Sequence, residues 1–247
     1  MNKHFHFSRF WLLLKVDFLK GQRATLMTVA VILGIMTIGT VVEPLLDDNK
    51  IIHAENFAYG LFIGGFILSS QAFSSLSNSL KGFQYLTLPA STFEKLLSMW
   101  LLTCIGWMVV YTLAYWVCSP LINLTAQLSS SSVVIVSFNP FSGFVILALK
   151  FYFVLQGIFL VGAVHLKGYV LPKTLFALVL YGILGMLIFY LFLGDMMNSE
   201  VEQALADINF SIPTLDLLRI VLEWIFWWFF APLCWIITFL GLKEKEV

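Results

Sequence analysis

The chain has 247 residues, of which 60% are hydrophobic and 11% charged, with no net charge and a mean hydropathy of +0.92. Soluble domains carry roughly 25% charged residues, so a water-soluble fold of this size could not hide so much apolar surface, whereas lipid accepts it on the outside of helices. No basic patch extends beyond short loops, which argues against nucleic acid as a partner.

Residues 1–23 carry Lys3, Arg9, Lys15, Lys20 and Arg23 ahead of the first apolar run, and that run ends in Glu43-Pro44 rather than in a small-x-small cleavage site. The pattern predicts an uncleaved first membrane helix. Within this segment Phe7, Phe10, Trp11, Leu14 and Phe18 recur at helical spacing, with Arg9 and Lys20 opposite. They predict an amphipathic helix lying in the cytoplasmic interface; a plain cytoplasmic extension of the first membrane helix is the alternative.

A membrane helix needs about 20 mostly apolar residues, and six stretches meet this: 24–42, 57–76, 96–117, 141–164, 174–194 and 218–240. The fold class expected is therefore an all-α membrane protein of about six transmembrane helices over 24–242, with a short tail at 243–247. The second stretch turns polar at its end, with Ser69, Ser70, Gln71, Ser74, Ser75, Ser77 and Asn78 after Gly60, Gly64 and Gly65. Gly60 and Gly64 have the spacing of small-xxx-small contacts. The polar groups either bond backbone carbonyls within a tight helix packing or line a translocation path or dimer seam. In the fourth stretch Lys150 lies about nine residues in, roughly 13 Å along a helix, and Gln156 lies deeper. Lys150 either lines a polar cavity or snorkels toward the outer surface. No carboxylate lies near a helix centre, where ion-coupled carriers usually place one.

Charge is sorted between the connections. Glu43, Asp47, Asp48 and Glu55 follow the first stretch, and Asp195, Glu200, Glu202, Asp207 and Asp216 follow the fifth; the connection 119–140 is uncharged. The N-terminal cluster, Lys81 and Lys95, Lys167 and Lys173, and Lys243 and Lys245 occupy the alternate connections. The bias of lysine and arginine toward the inside places both termini and the loops around Lys81 and Lys167 in the cytoplasm. On the outer side, Ser199 and Glu202 have capping-box spacing, and Val201, Leu205 and Ile208 share a face, which predicts a short helix over Asn198–Ile208.

The inner loop 81–95 is the most informative polar stretch. Pro89 breaks the chain, Ser91 offers an N-cap, and Glu94 three residues on completes a capping box, so a helix starts at the cytoplasmic surface and runs into the third membrane segment. Phe83, Tyr85 and Leu86 precede it, an apolar group rimmed by polar ones, as a docking surface would be; the alternative is that these side chains dip into the interface.

Groups for catalysis or metal binding are not gathered anywhere. The nearest approach to a phosphate loop, Gly168 to Thr174, lacks a second glycine and holds Pro172. His4, His6, His53 and His165 have no partner at metal spacing, Cys104, Cys118 and Cys234 fit no metal pattern and read as small apolar residues, and there is no Gly-x-Ser-x-Gly elbow. The expectation is a chain that is not an enzyme and holds neither cofactor nor metal.

With these parts in place the chain resembles the permease subunit of an ABC-2-type transporter, of the compact kind found in Bacteroidetes. The resemblance rests on Phe62-Ile63-Gly64-Gly65-Phe66, on Leu88-Pro89-Ala90-Ser91-Thr92-Phe93-Glu94-Lys95-Leu96-Leu97, and on Phe159-Leu160-Val161-Gly162-Ala163 with Lys167 and Leu171-Pro172-Lys173-Thr174. The order of elements matches across nearly the whole chain; Lys150 and the loop Ser129–Ser132 have no counterpart in the pattern. The resemblance implies a bacterial inner-membrane location, pairing with a second permease protomer, and export driven by a separate ABC ATPase subunit. That subunit would couple through Leu86, Leu88, Pro89, Ser91, Phe93, Glu94 and Lys95 and through the N-terminal helix. Gln71, Ser74, Asn78, Lys150 and Gln156 are the polar residues that a pathway or a helix seam would use. A non-catalytic membrane scaffold or accessory subunit, or a secondary transporter, is the alternative.

Overall fold

The computed structural model describes residues 5–46, 53–77, 79–129, 137–194, 220–221 and 223–246, and among these it is helical with short turns and no strand. Asn78, most of the loop Ser129–Ser132, the acidic connection 195–216 and the expected outer helix Asn198–Ile208 lie outside the described residues.

Helix α1 (Phe7–Leu46) is one uninterrupted rod of 40 residues. At 1.5 Å per residue it is about 60 Å long, twice the thickness of a hydrocarbon core of about 30 Å. The separate interfacial helix expected over 1–23 is therefore continuous with the first membrane segment: nothing between Leu19 and Thr25 breaks the helix, and Gly21 alone does not stop it. Its inward face is Phe10, Leu13 and Asp17, while Phe7, Trp11 and Phe18 of the expected apolar stripe are exposed and Leu14 is half-buried.

Helix α2 (His53–Gln71) leads through a 3₁₀ turn (Ser74–Ser77) to the short α3 (Ser79–Leu86). Helix α4 (Thr92–Trp100) begins behind Pro89, and the expected capping box is present: the Ser91 hydroxyl accepts from the Glu94 amide while the Glu94 carboxylate accepts from the Ser91 amide. A π-turn (Leu101–Gly106) joins α4 to α5 (Trp107–Ser129) without a break. Pro120 inside α5 deprives the Trp116 carbonyl of its usual amide donor, and the Ser119 hydroxyl supplies a bond to that carbonyl at 3.0 Å. Helix α6 (Gly143–His165) is capped by Ser142, and α7 (Val170–Gly194) follows a turn in which Gly168 takes a left-handed φ of 81°. The last described helical stretch passes through a second π-turn (Phe226–Phe230) into α8 (Ala231–Lys245).

Among the described residues, five helices are long and apolar enough to cross a membrane: Phe7–Gly39, Thr92–Leu128, Gly143–His165, Val170–Ile188 and Glu223–Lys245. The second predicted segment is not among them. Its helix opens on His53, Glu55 and Asn56 and closes on Ser69, Ser70 and Gln71, and it lies between α1, α5 and α6 with Phe57 and Leu61 wholly buried. A helix screened by its neighbours does not need an apolar surface all round.

Glycines set the depth of that packing. A Cβ at Gly60 would strike Tyr111 and Ile32, one at Gly64 would strike Trp107 and Ile32, and one at Gly65 would strike the Tyr152 ring. The small-residue face of α2 is thus filled by α1, α5 and α6 of the same chain. The Trp107 indole donates to the Leu61 carbonyl at 3.0 Å, fixing α5 against α2 at this level. Phe57, Tyr111, Tyr115 and Phe138 continue the core toward the far end, where His53 is buried with one ring nitrogen 3.2 Å from the Tyr115 hydroxyl and the other 2.8 Å from Asn123 Oδ1.

Candidate functional site

The opposite end gathers four parts of the chain that are distant in sequence. Glu94 is wholly buried and accepts from the His6 amide at 2.7 Å and from the Ser91 amide at 2.8 Å, with the Arg9 guanidinium 3.4 Å away. Lys95, the next residue, is also wholly buried. Its ammonium donates to the Leu86 carbonyl at 2.9 Å and to Glu246 Oε1 at 2.8 Å, and it lies 5.7 Å from the centre of the Tyr85 ring, within cation–π range. The other oxygen of Glu246 accepts from the Thr92 hydroxyl. The Lys245 ammonium donates to the Val164 carbonyl at the exit of α6, and Gly241 lies against the His165 ring. The first turn of α1, the α3–α4 loop, the end of α6 and the end of α8 are therefore clasped together.

Glu94 and Lys95, marked in the sequence as coupling candidates, face into this clasp and not into solvent. Buried ions are tolerated when paired and hydrogen-bonded, and both are. What the loop presents outward is Phe83, Pro89 and Phe93, with Leu86, Leu88 and Ser91 half-buried. Phe93 meets Phe5 edge-on at 6.2 Å, and Phe5 in turn stands 5.7 Å from Phe10, so part of the N-terminal aromatic series joins the loop.

Inside the clasp a cavity of about 400 Å³ opens between α1, α2 and α4, bordered by Asp17, Gln71, Ser74, Tyr85 and Thr103. Asp17 is buried on the inward face of α1 and accepts from the Ser98 hydroxyl at 2.8 Å. The Tyr85 phenol has no hydrogen-bond partner among the described residues; its burial pushes its pKa up, and the nearby Asp17 and Glu246 carboxylates push the same way.

At mid-depth the π-turn alters what the helix offers its neighbours. The Trp107 amide donates back to Leu102, five residues away, and the Thr103 carbonyl instead accepts from the Tyr152 hydroxyl at 2.7 Å. The Gln156 amide donates to the Thr103 hydroxyl at 3.0 Å, while the Gln156 carbonyl oxygen is buried with no partner among the described residues. Such turns often mark places where a helix is adapted to a functional need.

The structure thus sets Gln71 and Ser74 at the cavity and Gln156 beside the Thr103 that borders it. Lys150 stands apart, exposed on another face of α6. Asp17, Thr103, Tyr152 and Glu246 were not singled out from sequence. Asp17 had a signal, an acidic residue in register with Phe10 and Leu14; Glu246, in a charged tail, had none. The residues Gly168 to Thr174 form a left-handed turn and the first turn of α7, with the Lys173 ammonium donating to the Lys167 carbonyl at 2.6 Å. Among the described residues no three His, Cys, Asp or Glu side chains gather as a metal site would require.

Five membrane-length helices among the described residues, and an α7 segment of which those residues bury only 6%, define a multi-pass integral membrane protein. Compared with models of known families, with curated proteins and with solved structures, the chain finds no match.

Proposed function

We propose that this chain is the membrane-spanning permease subunit of an ABC-2-type transporter, moving its substrate outward on ATP hydrolysed by a separate subunit. The observation that carries the reading is the rod that starts at the Ser91 cap and runs unbroken through α4, the π-turn and α5, with Phe93 exposed in its first turn. A push on Phe93 and Phe83 at the clasped end is carried along α4, which is stiff along its axis, to the π-turn at mid-depth, where Tyr152 and Gln156 meet Thr103.

In this reading α2 is the sixth crossing. Its start is bonded to Tyr115 and Asn123 at the far end, and Phe73 just beyond it packs on Tyr85 at the clasped end. The first turn of α1 and the end of α8 both meet the α3–α4 loop, through Arg9–Glu94 and Lys95–Glu246, which favours an even number of crossings between them. With the lysine-rich connections inside, the clasped end is cytoplasmic. The membrane is the inner membrane of a bacterium, and a second protomer, the same or a homologue, completes the pathway. The cavity bordered by Gln71, Ser74 and Thr103 would then open toward the cytoplasm.

Affinity purification in mild detergent tests this. An ATP-hydrolysing subunit should accompany the wild-type chain and be lost from Phe93→Asp, a change at an exposed position whose thermal melt should match that of wild type. Recovery of no such subunit, or equal recovery with the variant, refutes the coupling surface.

A further inference from the structure

Among the described residues, Lys150 is the one strongly polar group in an otherwise apolar lateral groove between α5, α6 and the second π-turn. The groove encloses about 750 Å³ and is walled by Leu113, Trp116, Phe153 and Trp227, with Thr112 at its side. Its volume is that of a ligand site, for which about 300–1,000 Å³ is usual. Lys150 lies eight residues beyond the Ser142 cap, roughly 12 Å along the helix at 1.5 Å per residue. No ion pair of Lys150 is formed among the described residues, no carboxylate lines the groove, and the Thr112 hydroxyl is buried without a hydrogen-bond partner there.

An ammonium at this depth needs an anion, because hydrocarbon offers it neither water nor counter-charge. The walls need something apolar and long. We infer that the groove binds an anionic lipid, its acidic headgroup drawn down past Trp116 and Leu113 to Lys150, with Thr112 able to donate a further bond, and its acyl chain continuing along Phe153 and Val154. A free phosphate would leave the apolar walls uncovered. A zwitterionic lipid would bring its own cation up to Lys150. A second copy docked through this same face about a two-fold axis would set the two lysines against each other. The inference does not depend on the transport reading, since binding is measured without nucleotide or partner.

The test is lipid retention by the purified full-length protein, read by native mass spectrometry after exchange into mixed phosphatidylglycerol and phosphatidylcholine. Wild-type protein should keep phosphatidylglycerol several-fold in preference; Lys150→Met should lose the preference and Lys150→Arg keep it. Leu113→Trp, which fills the groove at an exposed position and leaves Lys150 in place, should lower phosphatidylglycerol retention. Equal retention of the two lipids by wild type, an unchanged preference in Lys150→Met, or full retention in Leu113→Trp would each overturn the site. A groove occupied instead by a second copy or by the chain's own acidic connection gives the first of these results.

Discussion

Removing either member of the Lys95–Glu246 pair should have unequal consequences, and the inequality is readable from exposure. The Lys95 side chain is 1% exposed and that of Glu246 is 14% exposed. Glu246→Gln leaves the ammonium where it is and takes away its counter-charge. Stranding a buried ion costs about 3–5 kcal/mol, and the glutamine oxygen still accepts one bond, so the lower end of that range, about 3 kcal/mol, is expected. Lys95→Met leaves a carboxylate at the chain end, which can turn to water. It forfeits the bonds to Leu86 and Glu246 and the contact with the Tyr85 ring, about 1–2 kcal/mol after the gain in apolar contact. The double variant should lie near Lys95→Met, because no ion remains to be stranded. The assay is thermal unfolding in detergent followed by modification of Cys104, whose thiol is fully buried in the fold. Midpoints should fall in the order wild type, Lys95→Met with the double variant, then Glu246→Gln. A Glu246→Gln midpoint at or above that of Lys95→Met would refute the claim that Lys95 is the desolvated partner.

The same assay separates glycines that set helix distance from those that do not. Gly64→Ala should destabilise by about 1–3 kcal/mol, the usual cost of overpacking, because its Cβ would collide with Trp107 and Ile32, whereas Gly34→Ala and Gly182→Ala meet nothing within 4 Å and should be silent or mildly stabilising. At the far end, His53→Phe keeps the ring volume but drops the contacts to Tyr115 and Asn123. It should cost about 1–2 kcal/mol for the ring-nitrogen bonds it forfeits, and Asn123→Ala, which removes one of these partners, should cost less.

Helices, their order and the capped start at Ser91 were legible in the sequence because each follows from local rules: apolar length, turn residues and a side chain three residues from its cap. The α2 segment was legible as apolar but not as interior, since the screening comes from Ile32, Tyr111, Trp107 and Tyr152, which are distant in sequence. The N-terminal stripe misled in part. Periodicity marks a face but does not say whether protein or lipid covers it, and here Phe10 and Leu13 turn to α4 while Phe7, Trp11 and Phe18 stay outside. The roles of Glu94 and Lys95 were hidden for a similar reason. A capping glutamate looks the same in sequence whether its second oxygen meets water or the His6 amide, and the partner of Lys95 lies 151 positions away.

These contacts also locate where the long rod can yield. Below the π-turn, α4 is held by ions and hydrogen bonds from α1, the α3–α4 loop and α8, which act over short distances and break as a unit. At the level of the turn the contacts change character: Trp100 meets Trp235 at 5.2 Å and Phe153 at 6.0 Å, edge to face, and those two rings stand 5.6 Å apart. Aromatic edges slide with little loss, whereas the Glu94 and Lys95 bonds do not. The backbone at Leu101–Gly106 is already wound to the wider pitch, and its Thr103 carbonyl is held by a side chain, Tyr152, instead of by its own helix. A displacement applied to the clasp would therefore be taken up at the π-turn, by exchange of the Tyr152 bond for an ordinary helical one. The helix below would move as a rigid piece with α1 and α8, and α5 above would stay seated on Leu61 through Trp107.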